Sequence, residues 1–151
     1  MYVPSEVALT SGVGRHSDGL ASFELALRDA GVEAYNLVGV SSIAPPEADV
    51  VSLERARRSL DEGQVVHAVL GRAETLDGVA SAAVGMARPP EGHGYFVEKA
   101  GVDGRRPREG DAVALAVELA GSDHETREEH VEAEGDGERY TTAVSVGVLV
   151  P

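Results

Sequence analysis

The feature that most constrains this chain is a series of short apolar, β-rich runs punctuated by glycine, proline and aspartate. Helical spacing is carried in only two places. Residues 5–13 alternate loosely, Val7 and Leu9 against Glu6, Ala8 and Thr10, and predict a strand ending in a Gly12–Gly14 turn. Behind Asp18, a suitable N-cap, Leu20, Phe23, Leu27 and Ala30 recur at helical spacing until Gly31 closes the helix. Residues 34–43 predict a second strand, stopped by Pro45–Pro46. Residues 52–62 are charged and fit one short helix or a loop. The runs at 64–71, 79–87 and 94–99 predict three more strands, and Tyr140 to Val150 a last one with Thr142, Val144, Val146 and Val148 on one face. Asp111 to Ala120 predicts a nearly all-apolar helix that leaves only Asp111 and Glu118 to water. Such a helix needs cover on most sides, from a sheet or another subunit. About six strands and two helices in mixed order imply an α+β sandwich, a mixed or antiparallel β-sheet with flanking helices. The 151 residues suit one domain, 1–151.

Charge narrows the functions. Asp and Glu number 26 against 13 Lys and Arg, a formal net charge of -13. That field repels phosphate backbones and excludes nucleic-acid binding through a basic patch as a main activity. The 42% hydrophobic content is enough for a packed core. Lys99 is the only lysine, the other 12 cations being arginines. Strong acidity with almost no lysine predicts a halophilic protein, whose self-repulsion a salt-rich cytoplasm screens. From Gly121 to Glu138, eight acids stand against one arginine, Arg127, and predict a solvated loop or fraying segment rather than a metal site. No run approaches the ~20 apolar residues of a membrane span. The opening MYVPSEVALTSG lacks the basic start and apolar run of a signal peptide, so a cytoplasmic protein with no membrane partner is expected. The absence of cysteine excludes disulfides, thiolate nucleophiles and cysteine-ligated metals.

Candidate chemistry is sparse outside one segment. His124 and His130 are six apart and match no usual ligand spacing, so no metal is expected. His67 alternates with Val65 and Val69 and reads as a satisfied core or interface histidine. His16 and His93 sit in glycine-containing loops. Gly12-x-Gly14 lacks a third glycine at dinucleotide-binding spacing, and no Walker lysine follows. Pyridoxal phosphate would need Lys99. The informative segment runs from Asn36 through Ser41 and Ser42 to Pro45–Pro46. Taken alone, its two serines are turn formers at a strand end. A serine in a strained turn can also attack its own preceding carbonyl.

NLVGVSSIAPPEADVV (36–51) resembles the self-processing segment of the pyruvoyl-dependent arginine decarboxylases. GLASFELALRDAG before it, and AETLDGVASAAVGMARP followed by GYFVEKAG after it, resemble the same family in the same order. The resemblance runs from about Ser11 to the final strand, and 121–138 carries no motif that matches. It implies the family's fold and a homotrimer with sites between subunits. It also implies a cut between Ser41 and Ser42: the Ser42 hydroxyl attacks the Ser41 carbonyl, giving an ester, and elimination frees a small β chain, 1–41. Hydrolysis then leaves a pyruvoyl group heading the α chain, 42–151, as the one cofactor. Its ketone does what pyridoxal does, engaging the substrate amine and accepting electrons as carbon dioxide leaves. The implied reaction is L-arginine to agmatine and carbon dioxide. The alternatives are the same machinery acting on another amino acid, or an unprocessed, non-catalytic oligomeric binding module.

Three more residues match family positions. Glu98 matches the acidic residue that reprotonates the substrate carbon, and its neighbours Phe96 and Val97 suit it to hold a proton. Asn36 matches a residue that assists processing and lines the site. Six residues of strand span roughly 20 Å, so either the strand bends sharply or Asn36 serves a neighbouring subunit. Glu24 stands where the family has an aspartate for the guanidinium. It lies about 40° from Leu20 on the helical wheel, bordering the apolar stripe, where it could face a crevice.

Overall fold

Alternation gives every strand two faces, and two strands inside the sheets of this protein are buried on both. The computed structural model describes residues 2–151. Its elements are β1 (Glu6–His16), α1 (Gly19–Asp29), β2 (Asn36–Gly39), β3 (Ile43–Ala44), β4 (Asp49–Val50) and α2 (Leu53–Arg57). Then come β5 (Val65–Thr75), β6 (Val79–Arg88), β7 (Gly94–Val102), α3 (Asp111–Ala120), β8 (Glu125–Glu134) and β9 (Tyr140–Val150). Nearly every residue of β6 and β9 is buried, which demands a second layer on each side of both strands. The fold meets that demand with two stacked sheets between helices, an α+β sandwich as the element pattern implies. A mixed sheet has the order β2-β5-β9-β1-β4, and an antiparallel sheet the order β3-β7-β6-β8.

The main packing layers follow from this arrangement. Between the sheets, Val7, Ala44, Ala48, Val69, Val84, Met86, Phe96 and Leu149 pack together. On the outer face of the first sheet, Ala26 and Leu27 of α1 and its C-cap Ala30 meet Val144, Val146 and Val148. On the outer face of the second, Ala112 and Ala116 of α3 meet Ala83, Ala87 and Val97. Helix α1 is bounded as its sequence suggests. The Asp18 side chain accepts the Ala21 N–H at 3.0 Å, and past Gly31, at φ +81°, the Val32 N–H returns to the Leu27 carbonyl. The charged 52–62 region contains the short α2, capped by Ser52.

The expected turn at Gly12–Gly14 is absent, because β1 continues to His16 in unbroken register with β9. The glycines instead let α1 lie close: a Cβ on Gly12 would collide with the Ala26 and Ala30 backbone, and one on Gly14 with that of Ser22 and Ala26. The expected 34–43 strand is two pieces in different sheets. β2 pairs parallel with β5 of the first sheet, and β3 antiparallel with β7 of the second. The acidic stretch is not a loop, since β8 pairs along its whole length with β6. Its carboxylates are engaged: Glu125 with Arg88, Glu129 with Ser11, and Glu128 with the start of α3. A charged edge strand also discourages pairing with another chain's edge. The tight β8–β9 turn is held by Asp136, whose carboxylate accepts the Glu138 and Arg139 N–H groups and is thereby lowered to about 2. Finally, α3 is covered on one side only. Ala112 and Ala116 are buried while Leu119 is half exposed, so within the chain the cover expected on most sides is missing.

Candidate active site

The Ser41–Ser42 segment crosses from one sheet to the other. Upstream, β2 lies in register with Val65–Ala68, and its last tie is the Val40 N–H donating to the Ala68 carbonyl at 3.1 Å. Downstream, the Phe96 N–H of β7 donates to the Ser42 carbonyl at 2.7 Å, followed by the pairs Ile43–Tyr95 and Ala44–Gly94. Ser41 is therefore the one residue between a tie to the first sheet and a tie to the second. Ser41 is exposed and Ser42 half-buried.

The same register brings Glu98 near. With Ser42 opposite Phe96, Glu98 is the diagonal neighbour two residues along β7, a backbone separation of about 7–8 Å. Glu98 pairs with Val84 of β6, whose side chain belongs to the core between the sheets. Pairs directly across a ladder share a face, so Glu98 projects toward that inter-sheet side. β3 reaches only Tyr95 and Gly94, and Glu98 is left exposed.

The other two sequence candidates stay apart from the serines within one chain. Asn36 begins β2, opposite Val65, and its Nδ2 donates to the Gly63 carbonyl at 2.8 Å. β2 runs straight from there, so Asn36 and Val40 are separated by about 13 Å of strand. The chain leaves the first sheet after Val40, and Asn36 stands at the opposite end of β2 from Ser42. Glu24 is exposed on α1, which packs on the outer face of the first sheet, away from the second. Beside Val40, an apolar hollow of about 270 Å3 is lined by Tyr2, Pro4, His67 and Leu149. In it the Tyr2 hydroxyl lies 2.8 Å from His67 Nδ1, and burial raises Tyr2 above the usual tyrosine value. His67 is thus half-buried with a polar partner, as its alternation with valines suggests.

Known proteins bear on this arrangement. A family model described as pyruvoyl-dependent arginine decarboxylase matches residues 6–151. The chain belongs to this family. It is 44% identical to pyruvoyl-dependent arginine decarboxylase 2 of Archaeoglobus fulgidus, over 98% of each chain. It is 40% identical to decarboxylase 1 of the same organism, over 98% of this chain and 99% of that one. A probable pyruvoyl-dependent arginine decarboxylase of Chlorobium luteolum is 37% identical over 99% of both. These are lyases that depend on a pyruvoyl group, and the match includes the acidic strand β8, where the sequence offered no recognisable motif.

In this pyruvoyl-dependent decarboxylase chain, one residue at the site escaped the sequence reading. Arg88 ends β6 and is only 7% exposed. Its Nη1 donates to the carbonyls of Pro45 at 2.9 Å and Ala48 at 2.5 Å, and its Nη2 to both Glu125 oxygens at 2.8 and 3.0 Å. The available signal was an arginine closing a run of apolar residues, 79–87, immediately before Pro89–Pro90.

Proposed function

We propose that this chain cuts itself between Ser41 and Ser42 and then decarboxylates L-arginine to agmatine and carbon dioxide. The observation that carries the proposal is the isolation of Ser41 between ties to two different sheets. A short crossing held at both ends favours one geometry, and strain at such a crossing can be used for chemistry. The Ser42 hydroxyl oxygen attacks the Ser41 carbonyl carbon, the Ser41–Ser42 amide bond breaks, and an ester joins the two residues while residue 42 gains a free amine. Loss of the Ser42 α-proton then breaks the ester C–O bond. Residues 1–41 leave with a carboxylate at Ser41, and residue 42 becomes dehydroalanine. Addition of water and loss of ammonia give the ketone.

Residue 42 suits that group, because its carbonyl is held by the Phe96 N–H and would stay in place once the chain is cut. The pyruvoyl ketone supplies an electrophile for the substrate amine and a sink for the electrons left by carbon dioxide. Glu98, one diagonal step from residue 42, gives a proton to the substrate carbon. Asn36 and Glu24 act on the site of a neighbouring subunit in a homotrimer, Glu24 taking the guanidinium. This accounts for their distance from Ser42 in their own chain. Exposed Val38, Val40, Ile43 and Val65, clustered where β2 forms the open edge of the first sheet, suit such a contact. The charge of -13 suits work in a halophilic cytoplasm. A second reading, the same machinery on another amino acid, is favoured by Glu24 standing where an aspartate is expected.

The test is the intact mass of the purified protein in high salt. Chains of 41 and 110 residues, with the larger one blocked to Edman chemistry, are expected. Ser42→Ala should remain whole, having no hydroxyl to attack. A wild-type chain that persists as 151 residues would sink the proposal and leave the non-catalytic binding module.

A further inference from the structure

The exit from the crossing, Pro45–Pro46–Glu47–Ala48, cannot secure itself. Proline has no N–H, so two successive positions donate nothing to a ladder. Past the two residues of β3, the segment has no strand pairing until β4 begins at Asp49. Pro45 and Ala48 are nonetheless buried, and their carbonyls need donors. Arg88 provides them, with one Nη1 bonding both carbonyls. Its own charge is answered by Glu125, whose two carboxylate oxygens both accept from Nη2 and anchor that end of the guanidinium, with Nη1 turned toward the exit. Burying a cation at 7% exposure is costly, and a helix- or sheet-stabilising role alone does not require its bonds to fall on this loop.

We propose that Arg88 is a positioning residue for self-cleavage. It clamps the downstream side of the Ser41–Ser42 bond to the second sheet, as the Val40–Ala68 bond clamps the upstream side to the first. The assignment rests on the cleavage reading above. Attack of the Ser42 oxygen on the adjacent carbonyl depends on tenths of an ångström, and a slack exit lets the crossing relax. Lysine keeps the positive charge opposite Glu125, but its single ammonium cannot serve the carboxylate and both carbonyls in one plane.

The experiment follows cleavage by intact mass over time, at a temperature well below the melting transition of each variant, with wild type and Ser42→Ala in parallel. Arg88→Lys is expected to fold with wild-type far-UV dichroism and to cut ~10- to ~100-fold more slowly. A purely structural Arg88 would leave the rate of the folded variant unchanged, so cutting at the wild-type rate overturns the assignment. Should Arg88→Lys not fold, Glu125→Gln decides. It removes the carboxylate that anchors Nη2 while leaving Arg88 buried, and slowed cutting in the folded protein supports the clamp, whereas wild-type cutting overturns it. A wild-type chain that stays whole overturns the cleavage reading itself, and the clamp with it.

Discussion

Glu98 and Glu24 are both exposed carboxylates, and the work proposed for each follows from a different place in the fold. Glu98 stands on the strand that binds residue 42, where a proton can be delivered to a substrate carbon. Glu98→Gln keeps the shape and removes the acid, so chains 1–41 and 42–151 should still form while turnover falls by ~10²–10⁴, measured as carbon dioxide release from arginine. Glu24 is exposed on α1, and the proposed role has it meet the substrate of another copy. Glu24→Gln should lower kcat/KM for arginine by roughly ten- to a hundredfold, the worth of a charge-assisted contact of about 1.5–3 kcal/mol, with the rate of chain cleavage unchanged. Unaltered arginine kinetics would move recognition elsewhere, and a preference for another amino acid would favour the second reading. The family was legible because the segments around the serines and Glu98 are short, contiguous motifs. The separation of Asn36 was legible from strand length alone. Arg88 was not, because its partners, Pro45, Ala48 and Glu125, are about forty residues away in either direction and only the pairing of β6 with β7 and β8 gathers them.

Among the elements, α3 depends most on a residue outside itself. Its N-cap, Gly110, has no side chain to offer, and Glu128 of β8 accepts the N–H groups of Gly110 at 2.6 Å and of Ala112 and Val113 at 3.1 Å. A carboxylate there satisfies orphan donors and meets the positive end of the helix dipole. Glu128→Ala should therefore lower stability by about 1–2 kcal/mol, seen as a lower urea midpoint with an unchanged slope. The same contact explains why β8 was misread. Its period-two pattern is written in charged residues, and a run of carboxylates looks solvated until Arg88, Ser11 and the α3 terminus are placed beside it. Gly12 and Gly14 misled for a related reason, since glycine marks both turns and close backbone approach, and only the position of α1 tells them apart. By contrast β9 and α1 declared themselves, one by unbroken apolar alternation and the other by spacing with a cap at each end.

At the scale of the whole molecule, the charge of -13 would act on every contact in the proposed homotrimer. Repulsion between carboxylates reaches ~10 Å or more in dilute buffer and is cut to ~3 Å in molar salt. The assembly should therefore loosen as ionic strength falls, which sedimentation in dilute and in molar salt would show; equal stability in both would contradict it. Strand β1 would make the proposed cut matter for folding as well. It sits inside the first sheet, paired with β9 on one side and β4 on the other, yet it belongs to the part of the chain before Ser42. An uncut chain closes that sheet as a first-order event, indifferent to dilution. Once divided, the protein holds its sheet together as an association of two polypeptides, and recovery from urea becomes second order, slower with every dilution. The proposed cut would turn a destination the chain can reach repeatedly into one it reaches in a single, tethered passage.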